Sequence, residues 1–86
     1  MDDPAIAFGV VLRALRKEAG LSQEQLGLEA GVERNYVSLI ERGINQPSIR
    51  VIFKLCAALD VRASSVIEAV EKQLESSTSK VTSKRR

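Results

Sequence analysis

Apolar residues along the chain recur every three or four positions in five segments, and short breaks that contain glycine, proline or polar residues separate these segments. This spacing is typical of amphipathic α-helices. Glycine and proline are too sparse for a chain of strands and turns. The pattern therefore predicts an all-α fold of five helices, at about residues 4–19, 22–30, 34–42, 48–60 and 63–75.

The first and fourth predicted helices are expected to supply much of the core. The buried stripe of the first helix comprises Phe8, Leu12, Leu15 and Ala19. Val10 and Val11 fall outside that stripe, either as ordinary exposed valines or as part of a contact surface. The fourth helix is apolar on more than one side, which predicts that it runs through the centre of the domain. Its apolar residues include Ile49, Ile52, Leu55, Cys56 and Leu59.

A tight turn joins the second and third predicted helices. Ser22 and Gln25 have the spacing of a capping box, in which each side chain satisfies a backbone N–H at the start of the helix. Gly31 can take the left-handed conformation that ends the second helix. Glu33 occupies the N-cap of the third helix, a position that Ser, Thr, Asp or Asn fills better.

The third predicted helix has two unlike faces. At about 100° per residue, Val37 and Ile40 share one side. The opposite side carries Arg34, Asn35, Ser38 and Arg42. A polar face taken alone is also typical of an ordinary solvated helix. Two helices joined by a glycine turn, the second with an exposed polar face, nevertheless form the helix-turn-helix pattern. Its second helix enters the DNA major groove, where Arg suits guanine, Asn suits adenine and Ser suits either base.

Composition narrows the class of protein further. The 86 residues suit one small domain. Cys56 is the single cysteine and histidine is absent, so neither a disulfide framework nor an ordinary zinc site is expected, and no cofactor is predicted. The acidic opening "MDDP" does not resemble a secretory signal, and no apolar run approaches membrane-spanning length. These observations predict a cytoplasmic protein without a membrane partner.

The net charge of +2 conceals an asymmetry along the chain. Four of the 13 basic residues lie in residues 80–86, which leaves 9 basic against 11 acidic residues in 1–79 and a net charge of −2 there. The charge of the body alone therefore does not indicate a nucleic-acid partner. From Ser76 the composition changes to Ser, Thr and Lys, which predicts a flexible basic tail over residues 76–86 after a domain over residues 1–75.

Residues 8–67 resemble the lambda-repressor/Cro-like family of XRE-type transcriptional regulators. The matching stretches are "FG", "LRALRKEAGLSQEQL", "AGVERNYVSLIERG", "QPS" and "LCAALDV", in the family's order and almost without gaps. The resemblance implies a compact five-helix DNA-binding domain in which the second and third helices form the helix-turn-helix, at residues 22–42.

The resemblance also implies roles for individual residues. Base contacts are implied for Arg34, Asn35, Ser38 and, at the edge of that surface, Leu39. Phosphate contacts are expected of Ser22, Gln23, Arg42, Ser48 and Arg50. A buried ion pair that orients the third helix is implied for Arg16 and Glu41.

Some of these assignments have alternatives. Leu39 either touches a thymine methyl group or lies at the edge of the core, and solvent exposure alone also explains Arg50. Glu33 departs from the family, where Ser or Thr is usual. It either accepts a hydrogen bond from cytosine or lowers the affinity for DNA. Ile44 lies in a loop that often carries basic residues, so phosphate contacts from that loop are not expected.

The fifth predicted helix is expected to form a dimer interface. Val66, Val70 and Leu74 recur at i, i+4 and i+8 and share one side, while Ile67 is expected to face the core. Val70 and Leu74 extend past the core and are expected to be exposed in a monomer. An aligned pair of this kind favours contact with a second copy. A frayed helix end on a monomer is the alternative.

The predicted function is sequence-specific binding of double-stranded DNA by a homodimer that acts as a transcriptional repressor or autoregulator on an inverted repeat. A restriction-modification controller and an antitoxin are alternatives within the same class. A protein-interaction module that has lost DNA binding is a further alternative, which the acidic body, Glu33 and Ile44 favour. No small-molecule effector is expected, because no ligand-binding domain fits in the remaining residues. No nucleophile–base pair indicates an enzyme.

Overall fold

A computed structural model of the protein describes residues 3–77. These residues form five helices, α1 (Pro4–Glu18), α2 (Gln23–Ala30), α3 (Arg34–Glu41), α4 (Ile49–Leu59) and α5 (Ala63–Ser77), and no strand. The all-α prediction is confirmed, with helix ends that shift by one or two residues. The predicted tail starts inside α5, and its residues 78–86 lie outside the described residues. No helix in the described part of the chain is long and apolar enough to cross a membrane.

The helix ends follow from local hydrogen bonding. Asp3 caps α1, where its Oδ1 accepts a hydrogen bond from the backbone N of Ala5 at 2.8 Å. Gly31 ends α2 with φ of 73°, a left-handed conformation that favours glycine. The backbone N of Val32 then donates to the carbonyl of Gly27 at 2.8 Å and folds the chain back towards α3. The turn between α2 and α3 is therefore three residues long.

The core lies where the five helices meet. Its largest fully buried side chains are Leu12, Leu26, Val37, Ile40 and Leu55. Burial of each such side chain stabilises the fold by about 1.5–3 kcal/mol relative to exposure. The helix α1 packs against α3 and α5, and α2 packs against α3 and α4. The apolar side of α3 is thus fixed from two directions.

A glycine inside α1 allows close packing on the end of α3. A Cβ atom on Gly9 would lie 2.5 Å from the carbonyl oxygen of Ile40 and 2.6 Å from that of Glu41. Real Cβ atoms do not approach oxygen so closely, so any larger residue would push α3 away. Glycine in a helix interior costs about 0.5–1 kcal/mol relative to alanine. The close approach of α1 to α3 accounts for the presence of Gly9 at this position.

Expectations for α1 and α4 are partly wrong. Val11 is buried rather than exposed, and it belongs to the core that α1 forms with its neighbours. Ala19 is exposed, because α1 ends at Glu18 and the chain turns there. The helix α4 does not run through the centre: only Leu55 and Cys56 of its residues are buried. Its second apolar side faces outwards.

The predicted dimer surface on α5 is also wrong. Val66 and Val70 are 3% and 7% exposed and belong to the core, and Leu74 is half-buried against it. Ile67, expected in the core, is 44% exposed. The physical reason is the rotation of α5 about its axis. Its stripe of Val66, Val70 and Leu74 faces the domain, so the next residue, about 100° round the helix, points outwards.

Candidate nucleic-acid interface

The outer face of α3 carries the four residues expected to contact bases. Arg34 and Asn35 are exposed in the first turn, and Ser38 and Leu39 are half-buried one turn later. The inner face holds Val37 and Ile40, which are fully buried. Burial of the inner face sets the rotation of α3 about its axis. The structure therefore presents long hydrogen-bonding side chains from the N-terminal half of α3.

The helix α3 lacks a side-chain cap. Glu33 holds the N-cap position with extended backbone angles, but its side chain makes no capping hydrogen bond. The exposed carboxylate lies beside Arg34 at the N-terminal end of α3. A negative charge favours a helix N-terminus but repels phosphates. The sequence predicted that Glu33 is a weak N-cap, and the missing capping hydrogen bond confirms this prediction.

Replacing Glu33 with Ser is expected to raise the free energy of unfolding by about 1 kcal/mol, because the new hydroxyl can accept from a first-turn N–H of α3. It is also expected to tighten DNA binding, because a carboxylate near the phosphates is removed. Urea unfolding and fluorescence anisotropy with a labelled duplex measure the two effects. The matched control is Glu29→Ser, which removes an exposed charge inside α2 and offers no cap. Equal stability of the two variants would contradict the capping geometry.

The first turns of α2 and α4 offer hydrogen-bond donors that suit phosphate groups. Ser22 caps α2: its Oγ accepts from the backbone N of Gln25 at 3.0 Å, and Gln25 Oε1 accepts from the backbone N of Ser22 at 2.8 Å. Ser48 caps α4, where its Oγ accepts from the backbone N of Val51 at 3.2 Å. A serine hydroxyl that accepts such a bond still has its own proton to donate. Helix N-termini with free donors suit phosphate oxygens.

A buried ion pair fixes the C-terminal end of α3 to α1. Arg16 Nε donates to Glu41 Oε2 at 2.6 Å, and Arg16 Nη2 donates to Glu41 Oε1 at 3.0 Å. The third donor, Nη1, reaches the carbonyl oxygen of Leu21 in the α1–α2 loop at 2.8 Å. The hydrogen bonds to Glu41 raise the pKa of Arg16, so the guanidinium stays charged. The two side chains are 10% and 3% exposed, which makes this a planar, nearly dry contact.

Gln23, expected to contact a phosphate, also makes a contact inside the protein. Its Nε2 donates to Glu41 Oε1 at 3.0 Å, so the side chain is half-buried and joins α2 to the ion pair. One amide proton is therefore engaged inside the protein. The second amide proton and the carbonyl oxygen are what Gln23 can offer to a phosphate. Sequence reasoning missed this hydrogen bond, because Gln23 and Glu41 lie 18 residues apart.

Two of the residues expected to contact phosphates are arginines. Arg42 is exposed at the C-cap of α3, and Arg50 is exposed in the first turn of α4. A groove of about 480 Å³ runs between α3 and α4 and is lined in part by Tyr36, Leu39 and Lys54. Lys54 lies one turn after Arg50, a spacing that marks both as one face of α4. No pattern in the sequence predicts this groove.

The chain is similar to known regulators over most of its length. Residues 12–66 match the family model described as Helix-turn-helix. The chain is 39% identical over 63 residues to the HTH-type transcriptional regulator SlrR of Bacillus subtilis (strain 168), a match that spans 72% of this chain and 41% of SlrR. It is 36% identical over 74 residues to the control protein C.MunI of Mycoplasma sp, spanning 85% of this chain and 100% of C.MunI.

A solved structure agrees with these matches. The restriction-modification controller protein C.AhdI from Aeromonas hydrophila aligns with a TM-score of 0.71 and 42% identity, over 72% of this chain and 94% of that one. The matched family model includes α2, the turn at Gly31 and α3, together with both ends of the contact between Arg16 and Glu41. The chain therefore belongs to the helix-turn-helix family of XRE-type transcriptional regulators, which are DNA-binding proteins.

Proposed function

We propose that this regulator binds double-stranded DNA in a sequence-specific manner and acts as a transcriptional repressor or autoregulator. The observation that carries the proposal is the division of α3 into a fully buried face and a face that exposes Arg34 and Asn35. The ion pair of Arg16 and Glu41 supports it, because it holds the recognition helix in one orientation. The exposed face of this helix can then contact base edges in a fixed orientation.

Phosphate contacts position the recognition helix α3 on the duplex. The α2 and α4 N-termini, at Ser22 and Ser48, supply backbone and hydroxyl donors. Arg42 and Arg50 supply charges. Such contacts set register and orientation but carry no sequence information. Each phosphate that a cation neutralises makes the slope of log affinity against log salt concentration more negative by roughly 0.9.

We further propose that two copies bind one inverted repeat. A single small DNA-binding module buries only about 600–1,000 Å² of protein surface on DNA, which limits its specificity. A two-fold pair doubles that surface and matches a palindromic site. The half-sites should then be centred about 10–10.5 base pairs apart, or a multiple of that distance.

A restriction-modification controller is the second candidate for the biological role. The match to C.MunI over the whole of that protein's length favours it, and so does the 42% identity to C.AhdI. The DNA-binding chemistry is the same in both candidates. What differs is the regulated gene. Neither candidate requires an enzymatic activity of this chain.

Selection of bound duplexes from a random DNA pool tests the proposal. The expected product is an inverted repeat, and a reporter gene placed behind that sequence should be expressed less when the protein is present. The alternative, a protein-interaction module, would be favoured by two results together. The selection would recover only random sequences, and the protein would not bind duplex DNA even at low salt.

A further inference from the structure

The helix α1 has an exposed stripe opposite the side that faces the core. The stripe consists of Ile6, Val10, Arg13 and Lys17. At about 100° per residue these positions fall within about 60° of each other, on the far side of the helix from the buried Phe8. Ile6 and Val10 are 51% and 44% exposed, and both basic side chains are exposed. The stripe is therefore apolar at its N-terminal end and basic at its C-terminal end, over about 16 Å of helix.

The loop between α3 and α4 extends the apolar end of this stripe. A Cβ atom on Gly43 would lie 2.7 Å from Cγ1 of Ile6, so the loop passes directly against α1. The next residue of the loop, Ile44, is 60% exposed. Single exposed apolar residues are ordinary, but several together mark a surface that a partner covers. We call Ile6, Val10, Arg13, Lys17 and Ile44 the α1–loop surface.

The charge of the α1–loop surface has a single sign. Within residues 3–77, neither Arg13 nor Lys17 takes part in a salt bridge, and the same is true of Arg42 beside the loop. The carboxylate of Asp3 is engaged in capping α1, and Glu18 lies about 100° round the helix from Lys17. Two copies of this surface would bring like charges together, which disfavours a second copy of this chain as the partner.

Duplex DNA alone does not match the α1–loop surface either. Phosphate oxygens suit its basic end, but protein–DNA interfaces are polar, and the exposed apolar end would stay uncovered. An amphipathic helix that carries apolar residues on one stripe and carboxylates beside it matches both ends. We infer that an acidic amphipathic helix of a partner protein docks on this surface. Its apolar residues cover Ile6, Val10 and Ile44, and its carboxylates meet the basic end of the stripe.

The docked partner opposes DNA binding. Arg42 is a proposed phosphate contact, and it lies two residues before Ile44 in the chain. A carboxylate near Arg42 competes with phosphate for the same guanidinium, and the acidic partner repels the DNA backbone. This consequence rests on the proposed function, whereas the docking itself requires no DNA. The α1–loop surface is then the place at which another protein regulates this one.

Titration with a defined peptide tests the docking without DNA. The probe is a synthetic helix of about 18 residues, or five turns, with leucines at every third or fourth position and glutamates on both sides of that stripe. Backbone amide NMR signals of the full chain are expected to shift along residues 6–17 and 42–45. No shifts, or shifts confined to α4 and α5, where Ile49, Phe53 and Ile67 are also exposed, overturn the inference.

Substitutions test the two halves of the surface separately. Ile44→Glu and Arg13→Glu should each weaken binding of the peptide at least about 5-fold, because each places a carboxylate opposite the acidic helix. Leu28→Glu is the matched control, since Leu28 is 77% exposed on α2 and lies outside the surface. It should leave the affinity unchanged. A peptide with lysines in place of the glutamates should bind the wild type at least about 5-fold more weakly, and equal affinity of the two peptides would contradict the inferred charge of the partner.

Competition with DNA separates this inference from the proposed function. Saturating peptide should raise the dissociation constant of the wild type for a selected duplex at least about 10-fold, and should have little effect on Ile44→Glu. A peptide that docks but leaves DNA affinity unchanged would reject the regulatory role. Docking on a chain that prefers no DNA sequence would support the surface and reject the function. Preferential DNA binding without docking would reject the surface alone.

Discussion

Glu41→Leu should lower the free energy of unfolding by about 3–5 kcal/mol, because it leaves the guanidinium of Arg16 buried without its charge partner. The variant also removes the acceptor of the Gln23 amide. Small domains are stable by only about 5–15 kcal/mol, so this single change is expected to remove a large part of the stability. Urea unfolding followed by circular dichroism measures it.

The double variant Arg16→Met with Glu41→Leu is the control for this result. It removes both charges and should recover most of the lost stability, because apolar side chains of similar volume can replace a buried ion pair at little cost. Its DNA affinity should stay reduced, since apolar contacts lack the planar geometry that orients α3. A loss below about 1 kcal/mol for Glu41→Leu, as for an exposed pair, would contradict the burial of this contact.

Arg34→Ala should weaken binding to the preferred DNA site by about 1–3 kcal/mol, or roughly 5- to 150-fold, and relax specificity at one base pair. The reason is the exposed position of Arg34 in the first turn of α3, where a bidentate contact to guanine is within reach of its long side chain. Competition binding against single-base variants of the site measures both effects.

Arg62→Ala is the matched control for Arg34→Ala. Arg62 is exposed beyond the C-terminal end of α4, at the opposite end of that helix from Ser48. It should change neither affinity nor base preference appreciably. If Arg34→Ala weakened binding equally to all sequences, Arg34 would be a phosphate contact rather than a base contact.

Much of the fold could be predicted because the signals that determine it are local. Helical periodicity, the capping box of Ser22 and Gln25, and the left-handed turn at Gly31 are all read from residues within one or two turns of each other. The two faces of α3 follow from the same periodicity. The ion pair between Arg16 and Glu41 is a contact across 25 residues, and it was expected only from resemblance to a family.

The errors concern which apolar stripe faces inwards. In α5, Val66 and Val70 form one stripe and Ile67 begins another about 100° away, and periodicity alone does not rank the two. The packing of α5 along α1 decides between them and buries Val66 and Val70. The apolar residues of α4 present the same ambiguity. Ile49 was expected in the core and is instead 69% exposed.

Methylation interference on a selected DNA site tests most directly whether α3 reads bases in the major groove. Methylation of guanine N7, which lies in the major groove, should block binding of the wild-type protein at one position of each half-site. The same methylation should have little further effect on Arg34→Ala, which no longer contacts that guanine. The account would be contradicted if only methylation of adenine N3, in the minor groove, interfered with binding. It would also be contradicted if methylation of guanine N7 weakened binding of the wild type and of Arg34→Ala equally.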